Sequence, residues 1–132
     1  MTATDTLHMN AKWLLPLAVT IHNAEEAIWL PAFRSRHGWN SISAAPFRTG
    51  AFLVALLAFA VTYATLQNRR NRAASWLFHA FCWIMLLNVL WHVGACFYFR
   101  AYAPGVITAV VLVLPITMYL IFCSRGRDRT RD

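Results

Sequence analysis

Residues 13–33 read WLLPLAVTIHNAEEAIWLPAF. This run matches the ~20 residues that a helix needs to cross a bilayer, and its interior carries the polar residues His22, Asn23, Glu25 and Glu26. Lipid offers the backbone no hydrogen-bonding partner, so a helix is the structure expected for such a run. No small-residue cleavage pattern follows, so a signal peptide is not indicated. The stretch therefore predicts a membrane helix with ionisable groups inside it.

Three further apolar runs follow, at about residues 50–66, 75–99 and 102–123. Hydrophobic residues make up 59% of the 132-residue chain and charged residues 13%, whereas soluble domains average roughly 45–50% and 25%. A small globule keeps much of its surface in water and cannot hide this excess. The sequence predicts an all-α fold, a single domain over residues 1–132 that forms an integral membrane four-helix bundle.

The net charge of +7 comes from twelve basic residues that lie between or beyond the apolar runs. That distribution indicates anionic membrane lipid as a partner, and no nucleic acid. The expected first side of the membrane carries Lys12, Arg69, Arg70, Arg72, Arg125, Arg127, Arg129 and Arg131. The other side carries Arg34, Arg36, Arg48 and Arg100. The positive-inside rule then predicts cytoplasmic termini, and the loop of residues 34–49, with Trp39, is expected at the far interface as a lid.

The ionisable residues of the first run share one helix face. At about 100° per residue, His22, Glu25 and Glu26 fall within a sector of roughly 100°. In the third run Asn88 and His92 are four residues apart and share a face as well. The two groups lie at similar depth if both helices run in the same direction. Ionisable groups inside spans are costly and usually functional, so these five residues form the predicted site.

His79 lies nine residues before Asn88, on the opposite face of the third run and near its start. We therefore interpret it as an interfacial or packed histidine outside the site. The fourth run brings Tyr102 and Thr108 toward the same half of the bundle as the site. Arg100 lies just before this run, at the entrance to the site. Arg100, Tyr102 and Thr108 are accordingly the candidate substrate-binding residues.

Two adjacent carboxylates in an apolar core repel each other and lose their hydration. A divalent metal (zinc, iron or manganese) bound by His22, Glu25, Glu26 and His92 would relieve this. A protonated glutamate in an acid–base site, with Glu25, Glu26 and Asn88 as catalytic residues, would relieve it too. A structural network neutralised by Arg100 is the third solution. The H-E-x-x-H signature, a serine nucleophile elbow and a glycine-rich phosphate loop are absent from the sequence.

These alternatives translate into several functions. A metal-dependent or acid–base enzyme acting on a hydrophobic small molecule, lipid-like or terpenoid, is the leading hypothesis. A non-enzymatic metal or proton carrier, for which so small a chain would form a homo-oligomer, is the first alternative. A structural membrane subunit is the second.

The motif His22-x-x-Glu25-Glu26 resembles that of the H-x-x-E-E family of small integral membrane proteins. The resemblance continues through Trp29, Pro31, Phe33, Asn88, His92 and the pattern Arg100-x-Tyr102-x-Pro104-Gly105-x-x-Thr108. It covers roughly residues 13–119. The function of the family is uncharacterised, so the resemblance supports the choice of site residues and implies no reaction. Intramembrane glutamic proteases and four-span sterol isomerases offer analogies of site type only, a hydrolase and an isomerase.

Overall fold

The computed structural model describes residues 11–38, 43–68 and 71–128, with side-chain surroundings up to residue 122. This part of the chain is all-α, with four helices and no strand. The helices α1, α2 and α3 span Leu14–Arg36, Ala44–Gln67 and Arg72–Phe99. The fourth helix is continuous and consists of Val106–Thr108 (α4), a π-helical turn Ala109–Val113, and Leu114–Asp128 (α5). The prediction of an all-α fold with four helices is confirmed.

The connection between α1 and α2 is shorter than the predicted loop of residues 34–49. Helix α1 continues to Arg36 and α2 begins at Ala44. Pro46 fits the first turn of α2, where a missing backbone N–H leaves no helical hydrogen bond unmade. The part of the expected lid that contains Trp39 lies outside the described residues.

Two other helices begin at residues that differ from the predicted ones, because of the residues that precede them. Helix α3 begins at Arg72 because the side chain of Asn71 accepts hydrogen bonds from the backbone N–H groups of Ala73 and Ala74. The fourth helix begins at Val106, later than the predicted residue 102, because Gly105 adopts φ +92°. A left-handed residue cannot continue a right-handed helix into the preceding segment.

Pro31 leaves an orphan carbonyl in α1. Proline has no backbone N–H, so the carbonyl of Ala27, four residues earlier, lacks its helical donor. Arg48 of α2 fills this place, with Nε donating to Ala27 O over 3.1 Å. The carbonyl that Pro31 leaves without a helical donor thus accepts a hydrogen bond that connects α1 to α2.

Arg48→Ala is expected to destabilise the protein by about 1 kcal/mol, because it removes an exposed charge-assisted hydrogen bond. Thermal unfolding in detergent measures the effect. Arg36→Ala, an exposed arginine at the end of α1, is the control and should have a smaller effect. Equal losses of stability in the two variants would contradict a stabilising role for the hydrogen bond between Arg48 and Ala27.

The apolar core is built from stripes with helical spacing. In α1 the stripe is Leu15, Ala18 and Val19. In α3 it is Phe78, Phe81, Cys82, Met85 and Val89. The next positions along these two stripes are His22 and His92, both buried. The core therefore continues directly into the polar site.

The outer surfaces of α2 and α3 are apolar. Both helices are long and apolar enough to cross a membrane, and only 22% and 28% of their most apolar windows are buried. Trp76, Phe97 and Tyr98 are 70–82% exposed. In the described chain these are the two helices that pass this test of length and composition, while the fourth helix gives a shorter apolar run, Val106–Phe122. The predicted orientation depends partly on Arg69, Arg70, Arg129 and Arg131, which lie outside the described residues, so it stays a prediction.

Candidate metal centre

Three side chains meet where α1 faces α3. Nε2 of His92 lies 2.8 Å from Oε1 of Glu26, and Nε2 of His22 lies 3.8 Å from the same oxygen. The two imidazole rings meet edge to face with centroids 4.8 Å apart. His22 and His92 are 0% and 3% exposed. Since His22 and Glu26 are one helical turn apart and His92 continues the buried stripe of α3, regular helix geometry brings the three together.

One nitrogen of this group is unsatisfied. Despite the 2.8 Å separation, the approach of His92 Nε2 to Glu26 is not aligned for a hydrogen bond, and within the described chain this buried nitrogen has no hydrogen-bond partner. A buried polar atom without a partner costs free energy. It is therefore available to a ligand held between the three side chains.

The donor set suits a divalent cation. Two imidazoles and one carboxylate are a common ligand set for catalytic zinc and for non-haem iron. The ligand atoms of His22, Glu26 and His92 all lie within 4.8 Å of one another. Ligands at about 2.0–2.1 Å from a tetrahedral metal are roughly 3.3 Å apart, so the observed 2.8 and 3.8 Å bracket that spacing. This group could bind a metal with small side-chain adjustments.

Glu25 is turned away from this group. Its Oε1 accepts hydrogen bonds from the Tyr102 hydroxyl at 2.7 Å and the Gly105 backbone N–H at 3.0 Å. Its Oε2 accepts from the Thr108 hydroxyl at 2.7 Å. Of the four predicted metal ligands, His22, Glu26 and His92 therefore come together. The fourth, Glu25, lies beside them and is held by the fourth helix and the residues before it. The bond to Glu25, together with burial, raises the pKa of Tyr102 to about 12.

A chain of hydrogen bonds connects Glu25 to His22. Thr108 donates to Glu25, so its Oγ1 can accept from Nδ1–H of His22 at 2.9 Å. This assigns the proton of His22 to Nδ1 and leaves Nε2 as an acceptor, which Asn88 Nδ2 meets at 2.8 Å. Histidine ligands of metals usually have their second ring N–H held in this way by an acceptor, often a carboxylate. Thr108 and Glu25 thus orient His22.

Thr108→Val is expected to lower metal affinity about 10- to 100-fold, the range found when the partner of a ligating histidine is lost. Titration of the purified protein with Co²⁺ measures the affinity. Thr117→Val is the matched control. Thr117 is buried in the same helix, and among the described residues its hydroxyl bonds to the carbonyls of Val113 and Leu114, away from the centre. Equal losses in both variants would indicate a general effect on the helix.

A groove opens beside the centre, between α1, α2 and α3. We call it the lateral groove; its volume is about 370 Å³. Its lining consists of Asn23, Glu26, Pro46, Phe47, Gly50, Ala51, Val54, Met85 and Asn88. Asn23 Nδ2 donates to the carbonyl of Ala51 at 2.8 Å. Glu26 and Asn88 contact His92 and His22, so they are the polar lining residues that connect the groove to the centre.

The sequence did not single out Gly105 as a site residue, although it belongs to the Pro104-Gly105 pair before the fourth helix. A Cβ on Gly105 would lie 2.7 Å from Cε1 of His92, 3.0 Å from Cε1 of His22 and 3.1 Å from Cγ of Glu26. The backbone of Gly105 therefore packs directly on all three candidate ligands. A Pro-Gly pair at a helix start signals an unusual turn, but its contacts depend on the fold.

The remaining predicted residues are placed as follows. Tyr102 and Thr108 reach the site through Glu25. Arg100 is exposed, caps α3 with φ +48°, and takes no part in the hydrogen bonds described above; its assignment to substrate binding stays a prediction. His79 Nδ1 bonds to the carbonyl of Ser75 at 2.7 Å, apart from the centre, as its helix face indicated.

The comparisons with known proteins agree with the sequence resemblance. Residues 13–120 match the model of a family described as a protein of unknown function with HXXEE motif. An uncharacterized protein of Bacillus subtilis (strain 168), YrkK, is 30% identical over 108 residues, which cover 80% of this chain and 68% of that protein. No solved structure matches. The chain therefore belongs to the HXXEE family, and residues His22, Glu25 and Glu26, which define its motif, are those that the fold assembles around the candidate metal centre.

Proposed function

We propose that this chain is an integral membrane metalloenzyme that binds a divalent cation through His22, Glu26 and His92 and acts on a hydrophobic molecule entering from the bilayer. The observation that carries the proposal is the geometry of these three side chains, with a buried His92 nitrogen that has no hydrogen-bond partner among the described residues. Three protein ligands would leave a coordination position open, as catalytic sites do.

The outer surface of the bundle supports the membrane part of the proposal. A core helix of a soluble protein is mostly buried, whereas α2 and α3 expose most of their apolar windows. Monomeric soluble proteins rarely expose large continuous apolar patches. Lipid would cover these surfaces, and α1 with the shorter fourth helix would complete the bundle around the polar centre.

The residues around the centre support a catalytic role. A bound divalent metal would supply a Lewis acid or activate a water molecule. His22 is fixed in one tautomer by Thr108 and Glu25, and Asn88 can orient a polar group at the open side. The lateral groove gives an apolar molecule a route to Glu26 and Asn88.

Metal analysis of protein extracted from membranes in mild detergent tests the proposal. About one zinc, iron or manganese ion per chain is expected, because three ligands of this type define a single site. Reconstitution into phospholipid vesicles followed by alkaline carbonate washing tests the membrane part. Protein without bound metal that also fails to bind added Co²⁺, or protein released by carbonate, would overturn the respective part.

Metal-free acid–base chemistry is the second candidate. Asn88 Nδ2 lies 2.8 Å from His22 Nε2, and Glu26 lies 2.8 Å from His92. A small rotation of either side chain would align Glu26 with His92 Nε2 for proton transfer, while Asn88 holds His22. A metal-free protein that is folded and does not bind Co²⁺ would favour this function over the metalloenzyme.

A further inference from the structure

We infer that the lateral groove binds a neutral apolar molecule with a single hydroxyl group, a long-chain or isoprenoid alcohol. The inference rests on the proposed function, since it names the substrate class for the same centre. It starts from the composition of the groove, which combines an apolar wall with the candidate ligand Glu26 and the neighbouring Asn88. The volume of about 370 Å³ is near the lower end of the range for small-molecule sites.

The polar residues of the groove complement a hydroxyl group in particular. An alcohol has one O–H donor and lone pairs that accept. The Glu26 carboxylate can accept the O–H. Asn88 Nδ2 donates to His22 Nε2 in this structure. When a metal takes that nitrogen, the amide N–H groups of Asn88 are released, and one of them can donate to the hydroxyl oxygen.

The groove selects for the hydroxyl donor. Its lining includes no arginine, lysine or histidine, so along its apolar length it offers no partner for a charged group. An ether or an ester has no O–H and leaves the Glu26 carboxylate without a donor. The groove therefore discriminates against apolar molecules that lack a hydroxyl group.

Photo-cross-linking with a diazirine-labelled dodecanol in detergent or vesicles tests the inference. Labelling is expected on α2 within residues 46–54 and on α3 near Met85. Unlabelled dodecanol should compete at least about tenfold better than dodecyl methyl ether, which lacks the O–H donor, a difference of about 1.4 kcal/mol. Equal competition would overturn the hydroxyl specificity, and labelling spread over the exposed faces of α2 and α3 would overturn the groove in favour of general lipid contact.

Two glycines provide a matched pair of variants. Gly50 lines the groove, and a Cβ there would meet no atom within 4 Å. Gly50→Leu should therefore add side-chain volume at the groove wall, where its Cβ has space, and abolish the labelling. Gly94 is exposed on α3, outside the groove lining, and also has open space around it, so Gly94→Leu should leave labelling unchanged. Labelling retained in Gly50→Leu would overturn the inference.

Metal content separates the two proposals. Both leucine variants should bind metal like the wild type, because neither glycine contacts the three ligands. A wild type without metal but with labelling confined to the groove would overturn the metalloenzyme and support the binding site. A wild type with metal and no labelling of the groove would overturn the substrate class alone.

Discussion

His92→Ala is expected to lower the affinity for divalent metal by more than about 100-fold, which exceeds the loss typical of residues that only orient a ligand. The variant removes one of two nitrogen donors, and the remaining pair, His22 and Glu26, would keep too few ligands for tight binding. Co²⁺ titration followed by its visible absorption, or competition with a chromophoric chelator, measures the affinity.

The control for this prediction is His79→Ala. His79 lies on the same helix but bonds to the Ser75 carbonyl, so its removal should leave affinity unchanged. Because His92 is buried, its truncation could also destabilise the bundle. Glu26→Gln preserves size and should weaken binding without that effect. Undiminished metal binding in both His92→Ala and Glu26→Gln would exclude the proposed centre.

The sequence could predict that polar side chains of α1 and α3 meet in the bundle core because both helices follow the same simple rule. Apolar residues at spacings of three and four define a buried stripe, and His22, Glu26 and His92 fall on continuations of these stripes. Their meeting therefore required only that the stripes face each other. The same helical spacing places His79 on the opposite face of α3, outside the site. Its hydrogen bond to the Ser75 carbonyl is consistent with that position.

The sequence could not predict which way each glutamate turns. Glu25 and Glu26 are adjacent on one helix face, and either could have been a ligand. Their assignment depends on the fourth helix, where Tyr102, Gly105 and Thr108 provide three donors for Glu25. Those donors converge because Gly105 is left-handed and delays the helix start to Val106. A turn of this kind depends on tertiary packing, which local periodicity does not describe.

Gly105→Ala is expected to disrupt the centre more severely than its single added methyl group would suggest. The new Cβ would lie 2.7 Å from a carbon of the His92 ring, closer than real contacts allow, and 3.0 Å from the His22 ring. An L-residue at φ +92° adds backbone strain of about 1–3 kcal/mol. Both rings must move or the turn must open. We expect lower thermal stability and a loss of metal affinity comparable to that of His92→Ala.

The comparison with Gly38→Ala separates the effect of backbone strain from the effect of the Cβ contacts with the histidine rings. Gly38 also has a positive φ, +64°, but a Cβ there would meet no atom within 4 Å. This variant should show the backbone cost without displacing a ligand, so its stability should fall while Co²⁺ binding persists. If Gly105→Ala instead binds Co²⁺ like Gly38→Ala, the turn does not position His22 and His92. In that case the glycine would serve only to start the fourth helix, and the 2.7 Å contact between an added Cβ and His92 would be absorbed without consequence for the centre.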